Sequence, residues 1–122
     1  MEKKSTIFCD IDGTIFKYRK FETYKNSQPE LLPKVREQIT KWRKEGHIVI
    51  LTTARPDDLY VHTLKELSNN GIEFDKLIMG IERGPRYVVN DMDPNKPGER
   101  AIGINLERDK GFENINFKEY NL

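Results

Sequence analysis

Hydrophobic residues alternate between short continuous runs and helical stripes over the first two-thirds of this chain. The apolar, β-prone runs at residues 6–11 and 47–51 predict two buried strands, and residues 76–79 predict a shorter third strand. Between these runs, apolar residues recur at the spacing of one helix face. The alternation of strands and helices predicts right-handed crossovers and a parallel sheet.

The two predicted helices have clear end signals. Pro33 suits the first position of a helix, and Gly46 is a residue that commonly ends one. The second helix opens at Pro56 and ends at Asn70 and Gly71. Their predicted packing faces consist of Val35, Ile39 and Trp42 in the first helix and of Tyr60, Leu64 and Leu67 in the second.

The remaining segments complete an α/β pattern. Residues 14–30 have no clear apolar period and predict an ordered loop or a small hairpin, whereas residues 86–89 and 101–106 predict a fourth and a fifth strand. Residues 111–122 predict a tail with one helical turn. We therefore expect a single Rossmann-like domain over residues 1–122, with about five parallel strands flanked by helices.

Polar residues follow three of the predicted strands. They are Asp10 and Asp12 after the first, Thr52 and Thr53 after the second, and Asn90 and Asp91 after the fourth. Because the carboxyl ends of parallel strands meet at one edge of a sheet, these side chains should converge in one crevice. Two carboxylates near one point repel each other unless a cation lies between them, and hard oxygen ligands suit Mg²⁺.

Two plainer interpretations compete with a magnesium site. A calcium-binding loop of the EF-hand type needs glycine at its sixth position and glutamate at its twelfth, but counting from Asp10 places Ile15 and Phe21 there. The second interpretation is an acidic turn that only ends the strand and binds no metal, because Asp and Gly are common turn residues.

Charge and cysteine content limit the classes of partner. The chain has 122 residues with 21 basic and 20 acidic side chains, so no overall field attracts it to nucleic acid or to a membrane. Its one cysteine, Cys9, lies inside an apolar run and is predicted to be a buried hydrophobic residue. With no signal peptide and no apolar run long enough to span a bilayer, we expect a cytoplasmic protein.

The three strand ends resemble the haloacid dehalogenase superfamily of phosphohydrolases. The run Asp10-Ile11-Asp12-Gly13-Thr14 matches the first motif of that superfamily, Thr53 its second and Asn90-Asp91 its acidic fourth. The resemblance implies that Asp10 attacks phosphorus, that Asp12 transfers protons and that Thr53 holds a phosphate oxygen. It also implies Mg²⁺ held by Asp10, Asp12 and Asp91, and substrate contacts from Gly13, Thr14, Thr52, Ala54 and Arg55.

The chain departs from the superfamily at the third motif, which is normally a lysine ahead of the fourth strand. No lysine lies between Gly80 and Asp91. We favour Arg83 as its replacement because an arginine supplies the same charge and binds phosphate through two donors, and Arg86 and Lys76 remain alternatives. Asp93 is a secondary acid that could orient metal-bound water.

The resemblance implies a Mg²⁺-dependent phosphomonoester hydrolase that acts through an aspartyl-phosphate on a small phosphorylated metabolite such as a sugar phosphate. Two alternatives stay open: a phosphatase for nucleic-acid ends, since residues 17–25 interleave charged and aromatic side chains, and a catalytically silent phosphate-binding module. A phosphorelay receiver domain fits less well, because Met79-Gly80 occupies the place of its phosphoacceptor aspartate.

Access to the crevice follows from the lengths of the connections. Neither residues 14–32 nor residues 51–76 leave room for a folded cap domain. The crevice should therefore be open, unless it is covered by residues 17–25 or by a neighbouring subunit in a homo-oligomer.

Overall fold

The computed structural model describes residues 4–122 and contains a parallel sheet of three strands with two α-helices. The strands are β1 (Thr6–Asp10), β2 (Ile48–Thr52) and β3 (Lys76–Ile78), hydrogen-bonded in the order β1-β2-β3. The α-helices are α1 (Val35–Lys44) and α2 (Tyr60–Asn69), and short 3-10 helices span Phe21–Thr23, Asp57–Leu59 and Phe117–Tyr120. The α/β class and the parallel sheet are thus confirmed. None of the helices described is long and apolar enough to cross a membrane.

The register of the sheet brings the strand ends level with one another. Asp10 is the partner of Thr52, and Thr52 is the partner of Ile78. All three strands therefore finish at one edge. The convergence predicted for Asp10, Thr52 and Thr53 follows directly from this register.

The hydrophobic core lies on one side of the sheet, against α1. Val35, Ile39 and Trp42 are buried, as their helical spacing predicted. The sheet contributes its alternate residues to the same core: Cys9, Val49 and Leu51. Burial raises the pKa of Cys9 to about 12, so its thiol stays protonated and packs as a small hydrophobic group, as predicted.

The opposite face of the sheet is open. Phe8 is 57% exposed, Ile48 44% and Ile78 43%. Because side chains alternate along a strand, Asp10 lies on the same face as Phe8. This placement keeps the Asp10 carboxyl accessible at the end of β1.

The C-terminal segment closes the far side of the core. Phe112 and Phe117 are buried, and their ring centroids lie 5.7 Å and 4.9 Å from that of Trp42. Gly111 has φ +60°, and a Cβ there would approach the carbonyl oxygen of Pro33 to 2.6 Å, so only glycine fits the backbone contact. The predicted helical turn is present at Phe117–Tyr120, but the tail contributes more to the core than its sequence indicated.

Helix α2 is rotated relative to the face that its apolar spacing predicted. Leu67 is buried as expected, whereas Tyr60 is 47% exposed. Thr63 and Glu66 are buried instead. The rotation turns these two polar side chains towards a buried arginine, Arg55, with which both form hydrogen bonds.

The predicted fourth and fifth strands are absent from the described chain, so the sheet has three strands rather than about five. In the segment 86–89, Tyr87 is 87% exposed and Val89 93%. High β-propensity measures how well a side chain packs on a pleated surface, and these side chains have no such surface. In the segment 101–106, Ile104 and Leu106 pack on the core without strand pairing.

Candidate active site

A compact turn follows β1 and positions the acidic motif. The carbonyl oxygen of Ile11 accepts hydrogen bonds from the N–H groups of Thr14, Ile15 and Phe16 at 3.2, 2.8 and 3.1 Å. Gly13 has φ +90°, a conformation that L side chains rarely adopt, and its N–H donates to the carbonyl of Phe16 at 2.7 Å. The Asp-x-Asp-Gly-Thr pattern therefore encodes the turn as well as the acids.

Asp10 presents a partly exposed carboxyl group at the end of β1. Its side chain is 37% exposed, and the Thr14 hydroxyl donates to its Oδ2 at 3.2 Å. The Nη2 atom of Arg86 lies 3.7 Å from its Oδ1. Burial raises the pKa of Asp10, and the Arg86 charge and the Thr14 hydrogen bond act in the opposite direction. The carboxyl is thus accessible to a ligand and has a guanidinium beside it.

Asp12 is held by a bidentate ion pair with Arg55. The Arg55 Nε donates to Asp12 Oδ2 at 2.9 Å, and Nη2 donates to Oδ1 at 2.8 Å. The Arg55 side chain is fully buried, and that of Asp12 is only 10% exposed. Arg55 therefore contacts Asp12 rather than the open crevice, which differs from the substrate contact expected of it. Its burial leaves it a role in positioning Asp12.

Further hydrogen bonds fix Arg55 from behind. Its Nη1 donates to the Thr63 hydroxyl at 3.0 Å and to Glu66 Oε1 at 2.9 Å, and Arg19 donates to the same Glu66 oxygen at 2.7 Å. Burial alone would raise the pKa of Glu66, but the hydrogen bonds from Arg19 and Arg55 outweigh it and lower that pKa. The two arginines balance the charges of Asp12 and Glu66, so the buried network is neutral.

Tyr24 attaches residues 17–25 to this network. Its ring is buried, with the guanidinium carbons of Arg55 and Arg19 at 4.3 and 4.9 Å from its centroid. His62 Nε2 lies 3.0 Å from both the Tyr24 carbonyl oxygen and Glu66 Oε2. Arg19 and Tyr24 therefore face the interior. They are unavailable for the nucleic-acid platform or the movable cover that this segment could have formed.

The residues after β2 supply hydroxyl groups at the same edge. Thr53 is 1% exposed, and its Oγ1 accepts the N–H of Arg55 at 3.1 Å. A hydroxyl that accepts one hydrogen bond keeps its own hydrogen for donation. Thr52, which is level with Asp10, and Ala54 are both partly exposed. Gly13, by contrast, is buried, and Thr14 is partly exposed.

The acidic fourth motif does not stand at the end of a strand in the described chain. Asp91 is exposed in the irregular segment that replaces the predicted fourth strand, and Asp93 is partly exposed. Within residues 4–122, no three acidic, histidine or cysteine side chains are grouped as they would be around a metal ion. Of the three basic candidates for the third motif, Arg86 contacts Asp10, and Arg83 and Lys76 are exposed.

Sequence reasoning missed Glu66 and Arg108. Glu66 follows His62 by four residues and directly precedes the buried Leu67, so an acid on the packed side of a helix was a usable signal. Arg108 lies over the Tyr18 ring, with its guanidinium carbon 4.4 Å from the ring centroid. Nothing local marks Arg108, because its position depends on how the C-terminal segment folds back.

Comparison with protein families decides the family of this chain. The model of the haloacid dehalogenase-like hydrolases matches residues 7–78. The chain belongs to this family. The match contains the turn after β1, Thr52 and Thr53 at the end of β2 and the whole of β3, which are parts of the hydrolase described above.

A structural neighbour supports the fold assignment of this haloacid dehalogenase-like hydrolase. The crystal structure of a structural-genomics target from Vibrio cholerae is similar to it, with a TM-score of 0.56. The two sequences are 18% identical, and the similarity covers 96% of this chain and 94% of the other. The likeness shows a shared fold. No curated protein sequence matches the chain.

Proposed function

We propose that this hydrolase is a Mg²⁺-dependent phosphatase in which Asp10 attacks the phosphorus atom of a phosphate monoester. The observation that carries the proposal is the partly exposed Asp10 carboxyl at the end of β1, with Arg86 3.7 Å away and the Thr14 hydroxyl on its other oxygen. Phosphoryl transfer depends mainly on positioning and on neutralising charge. A carboxylate beside a guanidinium at the open edge of a sheet meets both needs.

The proposed reaction has two steps. An Asp10 oxygen bonds to phosphorus as the bond to the leaving oxygen breaks, and Asp12, which takes up a proton when the anionic substrate binds, gives that proton to the leaving oxygen. Water then attacks the phosphorus atom of the aspartyl-phosphate and gives a proton to Asp12. The bond between phosphorus and Asp10 breaks, so phosphate is released and the Asp10 carboxylate is restored. Arg55 orients Asp12 through its two hydrogen bonds. The Thr53 hydroxyl donates to a phosphate oxygen.

The donors at the strand ends fit a magnesium ion in part. Mg²⁺ takes one or two carboxylates together with water and substrate oxygens, and Asp10 offers one accessible carboxylate. The Asp12 carboxylate is occupied by Arg55, so the second ligand would be Asp91, brought in by the segment that follows residue 85. Bound there, Mg²⁺ would offset the charge of Asp10 and of the phosphate oxygens.

A small phosphorylated metabolite, such as a sugar phosphate, is the substrate class that the site favours. Recognition of a nucleic-acid end would need exposed aromatic faces on which bases can stack. Tyr24 is buried between two arginines, and one face of Tyr18 is covered by Arg108. These contacts leave little stacking surface beside Asp10.

The decisive experiment screens phosphate monoesters with Mg²⁺ for the parent protein and for Asp10→Asn. Asp10→Asn should lose all detectable turnover, because an amide neither attacks phosphorus nor balances a cation. Asp58→Asn is the matched control, since Asp58 is an exposed aspartate in the 3-10 helix Asp57–Leu59, directly before α2. Turnover by Asp10→Asn at the parent rate would remove the nucleophile assignment. Binding of Mg²⁺ without turnover of any ester would instead identify a silent phosphate-binding module.

A further inference from the structure

The C-terminal segment returns to the turn after β1 and places a basic side chain there. The N–H of Asp109 donates to the Gly13 carbonyl at 2.9 Å, and the Asp109 Oδ1 accepts the N–H of Tyr18 at 2.7 Å. Asp109 itself has φ +65°, an uncommon conformation for a residue with a side chain. Two hydrogen bonds across about ninety residues of sequence, at a strained position, hold this segment against the acidic turn.

Arg108 uses this attachment to lie along the turn. A Cβ atom on Gly13 would be 3.2 Å from the Arg108 Cγ and 3.7 Å from its Nε, so the arginine stem fills the space that a side chain at position 13 would take. The guanidinium is stacked on the Tyr18 ring at 4.4 Å. Arg108 is an exposed residue, and it forms no ion pair with any acid in residues 4–122. The stem of Arg108 is positioned by Gly13 and its guanidinium by the Tyr18 ring. An exposed arginine held in this way can bind an anion.

Arg108 and Asp10 border the same short turn. Gly13 is three residues after Asp10, and three residues span at most about 11 Å. The attacked phosphate would lie at Asp10 on the open face of the sheet, and Arg108 borders the same turn. A substrate that contacts both Asp10 and Arg108 must therefore span this turn.

We propose that Arg108, supported by the Tyr18 ring, binds a second anionic group on the substrate, either a carboxylate or a second phosphate. The proposal deepens the phosphatase function and rests on it. Arginine suits both anions because its planar donors match carboxylate and phosphate oxygens in pairs. The preferred substrates are then phosphate monoesters with an acidic group at the far end of a short carbon chain.

The test measures ligand binding by calorimetry in the Asp10→Asn protein with Mg²⁺, so that no ligand is consumed. Two pairs of ligands separate the two anions: 6-phosphogluconate against glucose 6-phosphate, and fructose 1,6-bisphosphate against fructose 6-phosphate. In at least one pair, the ligand with the second anionic group should bind about 10-fold or more tightly than the monophosphate that lacks it, as expected for a hydrogen bond to a charged group. Adding Arg108→Gln should remove this preference and leave the affinity for the monophosphate without a second anionic group within about 2-fold.

Two further variants control for charge and for folding. Arg108→Lys keeps the charge but loses the paired donors, so it should retain part of the preference. Arg36→Gln removes an exposed arginine on α1 that contacts Asn70, and it should retain all of it. Equal preference with and without the Arg108 side chain, or no preference in the starting protein, would overturn the proposal.

The outcomes also separate this proposal from the phosphatase function. Turnover that depends on Asp10, combined with a preference that survives Arg108→Gln, would reject the Arg108 site and keep the phosphatase. If Arg108→Gln removes the binding preference but the parent protein with Asp10 hydrolyses none of the esters, the anion site is kept and the phosphatase function is rejected.

Discussion

Asp10 is subject to two opposing influences on its charge. Burial favours the neutral carboxyl, whereas Arg86 and the Thr14 hydroxyl favour the carboxylate. The proposed attack on phosphorus requires the carboxylate, so in that mechanism the neighbouring cation would act on both the nucleophile and the phosphate oxygens. Among the described residues, Arg86 is a basic side chain in contact with Asp10, and we propose that it supplies the charge expected from the third motif.

Removing this charge should be costly. Arg86→Ala should lower turnover by on the order of 10²-fold, which is typical for the loss of one donor that stabilises transition-state charge. The measurement is kcat on the best ester of the screen, at saturating Mg²⁺.

Arg83→Ala and Lys76→Ala are the comparisons, since both residues are basic, exposed and candidates for the same role. We expect them to keep most of the activity. A loss confined to Arg83→Ala would return the role to Arg83, the residue that spacing alone favours.

At the level of single residues, the sequence predicted where Asp10 and Asp12 lie, but it did not predict which side chains contact them. Asp10 and Asp12 could be recognised because an apolar run delivers them to a glycine turn. The partner of Asp12 could not be recognised, because the Arg55 side chain could equally have pointed to the crevice or to α2. Arg55 points to α2 because Thr63 and Glu66 are buried there, and their burial depends on the rotation of the helix.

Among the secondary-structure elements, those that pack on one another were predictable and those that lack a partner were not. The strands β1 and β2 and the helix α1 follow their apolar periods closely, because one face of each is buried in the common core. Residues 86–89 have a similar apolar composition but no neighbouring strand to pair with, so they form no strand in the described chain. The C-terminal tail shows the reverse, since its isolated aromatic residues Phe112 and Phe117 are buried in the core although no apolar period marks the segment.

The docking of the tail can be tested through Phe117. This side chain is 7% exposed and meets both Trp42 and Phe112 at centroid distances of 4.9 Å. Phe117→Ala should lower the free energy of unfolding by about 3–5 kcal/mol, the usual cost of removing a buried phenylalanine. Urea unfolding followed by Trp42 fluorescence measures the loss.

Tyr120→Ala provides the comparison within the same 3-10 helix. Tyr120 is 36% exposed, so its removal should change the free energy of unfolding by less than about 1 kcal/mol. If Phe117→Ala changed the free energy of unfolding as little as Tyr120→Ala does, the tail would not unfold together with the core.

For the molecule as a whole, ionised carboxylates connect elements that are distant in sequence. Glu66 connects α2 to Arg55 and Arg19, and Asp75 joins α1, β2 and the approach to β3. Asp75 accepts the Val49 N–H at 2.8 Å and an Arg43 N–H at 3.1 Å. The Val49 hydrogen bond, followed by that from Arg43, lowers the pKa of Asp75. The lowered pKa values of both acids predict a fold that weakens in acid.

The contribution of Asp75 has a definite sign and pH window. In the unfolded chain its pKa returns to the ordinary 3.8, above its value in the folded protein. The stabilisation is therefore complete above the unfolded value and is lost as the pH falls through the lower, folded value. Denaturant unfolding of the parent and of Asp75→Asn should show a constant difference in stability above about pH 5 and a shrinking difference below about pH 4. Glu73→Gln removes an exposed carboxylate from the same arginine and should follow the parent, because surface ion pairs contribute little. A difference between parent and Asp75→Asn that stays constant down to acid unfolding would show that Asp75 does not couple these elements to pH.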